Sequence, residues 1–163
     1  MFLVLDGDSW FGKTKYALSL QPLGRTYYCD CTAGIPDLRD FDGERFSAIL
    51  FDELSPKEGI KLKKCLQSSN EPVIMGVSPT MMSAYTVHVW RTRIIVCTNL
   101  WAAGMKKMRK VDRNWLAKNS VYLSVKEPLW VVPRGLPVPH NLFYVCCMFE
   151  FADIVYRQRM PQK

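Results

Sequence analysis

The 163-residue sequence predicts an α/β fold, a central and mostly parallel sheet flanked by helices in a single domain. Three observations lead there. Short apolar, strand-like runs at Phe2–Leu5, Phe46–Phe51 and Ile94–Cys97 alternate with segments of helical pattern. The second run ends on Asp52-Glu53 and the third on Thr98-Asn99; the carboxyl ends of strands are where an open parallel sheet collects its ligand chemistry. The first run passes directly into the octet Gly7-Asp8-Ser9-Trp10-Phe11-Gly12-Lys13-Thr14, which fits GxxxxGK[ST] and assigns the fold to the P-loop NTPase type.

Each residue type in that octet has a physical reason. Gly7 and Gly12 let the backbone turn so that the N–H groups around Asp8 and Ser9 point inward at phosphate oxygens. Lys13 is placed to reach the β- and γ-phosphates of ATP, and Thr14 to offer Mg²⁺ a hydroxyl. A helix beginning near Lys13, with Tyr16, Ala17, Leu18 and Leu20 as its core stripe, adds a positive dipole end. The plainer alternative is a Gly-rich turn that happens to carry Lys-Thr; the flanking strand and helix favour the phosphate loop.

After a break at Gln21–Gly24, Thr26–Cys29 reads as a second strand, and Cys31–Glu44, rich in Gly, Pro and Asp, as a loop. The next strand ends on Asp52-Glu53. In phosphate-loop ATPases the first acid of such a pair holds the metal's water shell and the second polarises the attacking water. Asp52 is therefore the expected metal residue and Glu53 the expected base. The competing reading is an acidic pair leading into a helix that starts at Ser55-Pro56; a strand–helix–strand step from Lys13 to Asp52 favours the catalytic one.

Pro56 to Ser69 reads as one amphipathic helix, with Ile60, Leu62, Cys65 and Leu66 inside and Lys57, Lys61, Lys63 and Lys64 on a solvated face. Val73–Met75 and Tyr85–Trp90, around a Ser78-Pro79 turn, suggest a hairpin projecting from the sheet. The strand at Ile94–Asn99 delivers Asn99, an amide able to orient a water beside a γ-phosphate; alone it is equally a turn residue. Met105–Lys118 is dense in Lys106, Lys107, Arg109, Lys110, Arg113 and Lys118 around Trp115. That mixture suits single-stranded nucleic acid or nucleotide phosphates, or else a solvated basic helix with Trp115 in the core. Ser120–Val125 is the last sheet strand. Residues 1–130 thus form the expected ATPase domain. Residues 131–163 form a C-terminal packing segment, Pro-rich to Pro139 and apolar-aromatic over Asn141–Tyr156, with a basic tail from Arg157.

Composition narrows the class. At 48% hydrophobic residues the chain can build one full core, and 22 Lys and Arg against 15 Asp and Glu, a net charge of +7, suit a polyanionic partner. Six cysteines show no CxxC spacing, and His88 and His140 stand apart from them, so neither a zinc cluster nor a disulfide framework is expected. No apolar run approaches the ~20 residues of a membrane span, and no signal-peptide pattern is present. A soluble, intracellular protein with reduced thiols is expected. With the loop at residue 7, no separate nuclease domain is expected upstream of it in this sequence.

Three motifs in order, GDSWFGKT, AILFDE and IIVCTN, resemble the superfamily 3 helicase domain of viral replication initiator (Rep) proteins of small circular single-stranded DNA viruses, the geminivirus and circovirus type. The stretch GDSWFGKTKYALSL is closest to the geminivirus loop and helix. The resemblance implies that Gly7, Gly12, Lys13 and Thr14 hold nucleotide and Mg²⁺, that Asp52 and Glu53 are the metal-binding and catalytic acids, and that Asn99 is the sensor asparagine. It also implies homo-oligomeric rings, usually hexamers, with ATP sites between subunits and hairpins gripping single-stranded DNA. His88, Arg91 and Arg93, with Lys106 and Lys107, would then face the strand, and a nuclear location in a eukaryotic host follows. Two departures stand out. His88–Arg93 holds neither the family's hairpin lysine nor its glycines, and Ala117-Lys118-Asn119 replaces an arginine pair, leaving Lys118 or Arg113 to serve as finger. The leading expectation is a helicase-type ATPase of a replication initiator. The alternatives are a non-catalytic, domesticated or truncated Rep-like interaction module and, less favoured, a small-molecule kinase.

Overall fold

A computed structural model of the chain describes residues 1–34, 36–76 and 84–129. The Ser78-Pro79 turn and the whole 131–163 segment, with His140, Cys146 and Cys147, lie outside the described residues. Seven strands and five helices follow one another within them: β1 (Phe2–Gly7), α1 (Lys13–Ser19), β2 (Thr26–Asp30), β3 (Ala48–Asp52), α2 (Pro56–Lys61), α3 (Lys63–Leu66), β4 (Val73–Gly76), β5 (Ala84–Val87), β6 (Arg93–Thr98), α4 (Trp101–Lys106), α5 (Lys110–Asn119) and β7 (Ser120–Val125). Five strands make one sheet in the order β2-β3-β6-β1-β7, and every neighbouring pair is parallel. The expected α/β architecture, a parallel sheet flanked by helices, is present.

The apolar runs are continuous, not alternating, because both faces of the sheet are covered. Phe2, Val4, Ile49, Phe51, Ile94 and Val96 point to one side and pack with Leu62, Cys65, Leu66, Trp101 and Leu116 of the helices after β3. Leu5, Leu50, Ile95 and Cys97 point to the other and pack with Tyr16 and Ala17 of α1. The strand period of two sorts these neighbours to opposite faces.

Register brings the carboxyl ends of the central strands level: Asp6 lies opposite Thr98, Asp52 opposite Cys97 and Asp30, and Gly7 opposite Val125. Gly7 serves close approach here. Its φ is not positive, but a Cβ at this position would collide with the Val125 carbonyl oxygen on β7.

Several local expectations are corrected. The 56–69 helix is two short helices, broken at Leu62, whose ψ of 22° leaves the helical range. Bonds span the break, Leu62 N–H to Glu58 O at 3.2 Å and Leu66 N–H to Leu62 O at 2.9 Å, and Leu62, Cys65 and Leu66 are all buried. Helix ends before Ser68 because that residue has a φ of 51°; its hydroxyl donates to Val89 O at 2.6 Å and accepts from Thr92 N–H at 2.9 Å. The same contacts end β5 early, since Val89–Thr92 forms a turn. The expected hairpin exists as an antiparallel β4–β5 pair separate from the main sheet, and Val73, Met75 and Val87 enter the core. Tyr85 pins it to the 36–44 loop, accepting from Leu38 N–H at 2.7 Å. Phe46 lies outside β3 and packs edge-on against Tyr27. The basic stretch is the end of α4 plus α5, with Trp115 against the core and Lys63 over its ring at 5.2 Å. Among the described residues, no helix is long and apolar enough to cross a membrane.

Candidate functional site

Four chain segments meet at the carboxyl edge of the sheet. The Gly7–Thr14 loop leaves β1, Asp52 and Glu53 end β3, Asn99 follows β6, and Tyr28 comes from β2. The loop turns through two left-handed residues, Trp10 at φ 71° and Gly12 at φ 76°; only glycine adopts that conformation freely. It encloses a cleft of about 290 Å³ lined by Ser9, Gly12, Lys13, Thr14, Asp52, Glu53 and Asn99 among others.

Lys13 is buried, and its ammonium donates to three acceptors: Gly7 O at 2.9 Å, Asp8 O at 2.8 Å and Asn99 Oδ1 at 2.8 Å. Charge-assisted bonds of this kind contribute about 1.5–3 kcal/mol each, so the cation is held firmly at the centre of the cleft. The Asn99 amide carries the connection onward. With its oxygen facing Lys13, its Nδ2 donates to Glu53 Oε1 at 2.8 Å and to Ser9 Oγ at 3.1 Å. Lys13, Asn99 and Glu53 thus form a single hydrogen-bonded chain across three elements.

Glu53 takes its position from strained backbone. Its φ of 59° is left-handed, and its N–H is fixed by Cys97 O at 2.7 Å. Burial, and then the adjacent Asp52 charge, raise its carboxyl above the ordinary glutamate value, while Lys13 pulls it back down. A carboxylate of raised basicity beside an oriented amide is suited to accepting a proton from water.

The Thr14 hydroxyl lies 3.1 Å from both oxygens of Asp52, the one hydroxyl proton shared between them. A hydroxyl and a carboxylate are hard oxygen donors, the set a Mg²⁺ ion takes from protein when phosphate and water supply the rest of its shell. These two residues fit such an ion. Tyr28 OH also donates to Asp52 Oδ2, at 2.9 Å. Burial, followed by this hydrogen bond, pushes the phenol up to about 12, so it remains a donor at neutral pH.

The residues expected to bind nucleotide, metal and water therefore converge. Asp8 contributes its carbonyl while its side chain is exposed, and Ser9 contributes its hydroxyl. The residues expected to face a nucleic-acid strand do not join them. His88, Arg91 and Arg93 are exposed near the amino end of β6, where Arg91 covers the Trp90 ring at 4.3 Å and Arg93 donates to Gln21 Oε1 at 2.9 Å. Lys106 and Lys107 are exposed at the end of α4. Part of the basic charge is answered locally, since Asp112 pairs with Arg109 at 2.8 Å and Lys63 at 3.6 Å.

Two contributors escaped the sequence reading. Tyr28 looked like one more aromatic strand residue; its signal was the strand period, which puts it on the same face as Asp30, the register partner of Asp52. Asp6 is a carboxylate inside an apolar strand, an unusual place for a charge. It is buried and accepts from Trp101 N–H at 3.1 Å, Ala102 N–H at 2.9 Å and Tyr122 OH at 2.9 Å, anchoring the start of α4 beside Asn99.

Comparison of the chain with protein-family models gives no match, and comparison with curated proteins gives none either.

Proposed function

We propose that this chain is an ATP-hydrolysing motor domain of the replication-initiator helicase type, working with Mg²⁺ on single-stranded DNA as a homo-oligomeric ring. The observation that carries the proposal is the hydrogen-bonded chain Lys13–Asn99–Glu53, which joins a phosphate-type loop, an amide and a carboxylate of raised basicity. An acid beside a cation alone is a common surface pair. Linking them through an amide whose two ends have opposite polarity aligns a charge-neutralising group and a proton acceptor on one site.

In this reading the catalysis is positioning and electrostatics. Lys13 exchanges its loop carbonyls for the β- and γ-phosphate oxygens. Thr14 and Asp52 hold the metal, Asp52 through water, and the Mg²⁺ ion neutralises phosphate charge when bound. Glu53 accepts the proton of the attacking water, and Asn99 keeps Glu53 and that water aligned. A second reading, a nucleotide-binding interaction module without turnover, draws on the amino-edge position of His88, Arg91 and Arg93, at the far end of the strands from this network.

The test is ATP hydrolysis by the purified chain, with and without single-stranded DNA, beside Lys13→Ala. Turnover raised by DNA and lost in the variant is the expected result. Nucleotide binding with no turnover above the variant replaces the motor with the module, and no nucleotide binding at all overturns both.

A further inference from the structure

Asp52 is held from two sides. On one, Thr14 Oγ1 lies 3.1 Å from both carboxylate oxygens; on the other, Tyr28 OH donates to Oδ2 at 2.9 Å. The two contacts come from different elements, α1 and the edge strand β2, so together they fix the plane of the carboxylate as well as its position. Within the proposed ATPase reading, on which this inference rests, the orientation of Asp52 decides how well a metal at Thr14 is served. We infer that Tyr28 is a positioning residue for the metal site, holding Asp52 Oδ2 so that the carboxylate stays turned toward Thr14.

Three features separate this role from ordinary packing. The Tyr28 side chain is on a half-exposed edge, 49% accessible, where the core does not require an aromatic residue. Its strand neighbour Tyr27 turns the other way, into the cluster with Phe41 and Phe46. The phenol also reaches past Leu50, its own register partner, to the carboxylate two residues further along β3. Removing an outer-shell group that orients a metal site typically costs about 10–100-fold in metal affinity, because the group it held must then be ordered at the moment of binding.

The experiment is a Mg²⁺ titration of fluorescent ADP binding to the full chain, comparing the native protein with Tyr28→Phe, which keeps the ring and removes only the hydroxyl. Thermal melting of both confirms equal folding. The expected result is a Mg²⁺ midpoint raised about tenfold in the variant, with nucleotide affinity in EDTA unchanged. A midpoint within twofold of native overturns the inference, as does an equal loss of affinity in EDTA, which marks a general structural role. If native nucleotide binding itself does not respond to Mg²⁺, or survives Lys13→Ala unchanged, the ATPase reading falls and the inference falls with it.

Discussion

The two ends of the same sheet treat their polar residues in opposite ways. At the carboxyl edge two hydrogen-bonded groups, Lys13–Asn99–Glu53 and Thr14–Asp52–Tyr28, lie side by side through the adjacent pairs Lys13-Thr14 and Asp52-Glu53, with every bond in them between 2.8 and 3.1 Å. At the amino edge His88, Arg91 and Arg93 stand in solvent with local contacts of their own. Strand β6 contributes to both, with Arg93 at its start and Asn99 just after its end. The contrast teaches that charge content does not identify a site; convergence does. A cation with three acceptors in a cleft is committed to one geometry, whereas a solvated guanidinium is available to any anion that approaches.

The sharpest way to break that contrast is to disconnect the carboxyl edge chemically. Under the ATPase proposal, Glu53→Gln leaves nucleotide binding intact and lowers turnover by about 10²–10⁴-fold, measured as steady-state phosphate release. Full turnover in this variant means that Asp52 serves as the base as well as the metal residue. A structural break comes next. Gly7→Ala drives a Cβ into the Val125 carbonyl and destabilises the fold by about 3 kcal/mol, read from urea unfolding, because backbone on the neighbouring strand cannot yield as a side chain does.

The pH dependence sharpens the comparison without a mutation. Under the same ATPase proposal Glu53 is the base and acts only when ionised, and its carboxyl is raised above the ordinary glutamate range. Turnover therefore falls as pH drops through that raised value, so the acid limb of the kcat profile lies above the one an ordinary glutamate gives. Effects at the amino edge are smaller. Ser68→Ala removes the hydroxyl's bonds to Val89 O and Thr92 N–H, leaving these two only their 3.2 Å bond to each other, and costs about 1 kcal/mol in unfolding free energy, with the carboxyl-edge chemistry unchanged. If the proposed motor grips single-stranded DNA through this edge, Arg91→Ala weakens that binding by about three- to fivefold and lowers the salt slope by about one, with basal ATP turnover unaffected. A large loss of basal turnover from Arg91→Ala erases the distinction between the two edges.

Much of the fold was legible because apolar runs of strand length have few alternatives once helical segments separate them. The runs at Phe2, Phe46 and Ile94 became β1, β3 and β6, the second starting only at Ala48, and Ser120–Val125 became β7. Boundaries were less legible. The early helix end before Ser68 goes with that residue's contacts to Val89 and Thr92, more than twenty residues away, which no local pattern encodes, and the break at Leu62 left no mark in the apolar spacing either. In the site, Lys13, Thr14, Asp52, Glu53 and Asn99 stood out because each occupies a strand end or the octet. Tyr28 did not, because an aromatic residue in a strand is ordinary by itself, and Asp6 did not, because the partners that explain its unusual place inside β1, Trp101, Ala102 and Tyr122, lie about a hundred residues away.

What the sequence determined alone is the inventory: which segments are strands, which turn requires Gly12, and which polar types stand at the strand ends. These follow from local propensity and spacing, properties of the chain within a few residues. Strand order, register and therefore distance were decided only by the tertiary structure. The order β2-β3-β6-β1-β7 sets β6 between β1 and β3, and so brings Asn99 between Lys13 and Glu53. It also puts β2 beside β3, where Tyr28 meets Asp52. Those contacts join residues far apart along the chain, and they exist because burying both faces of one sheet fixes which strands lie side by side.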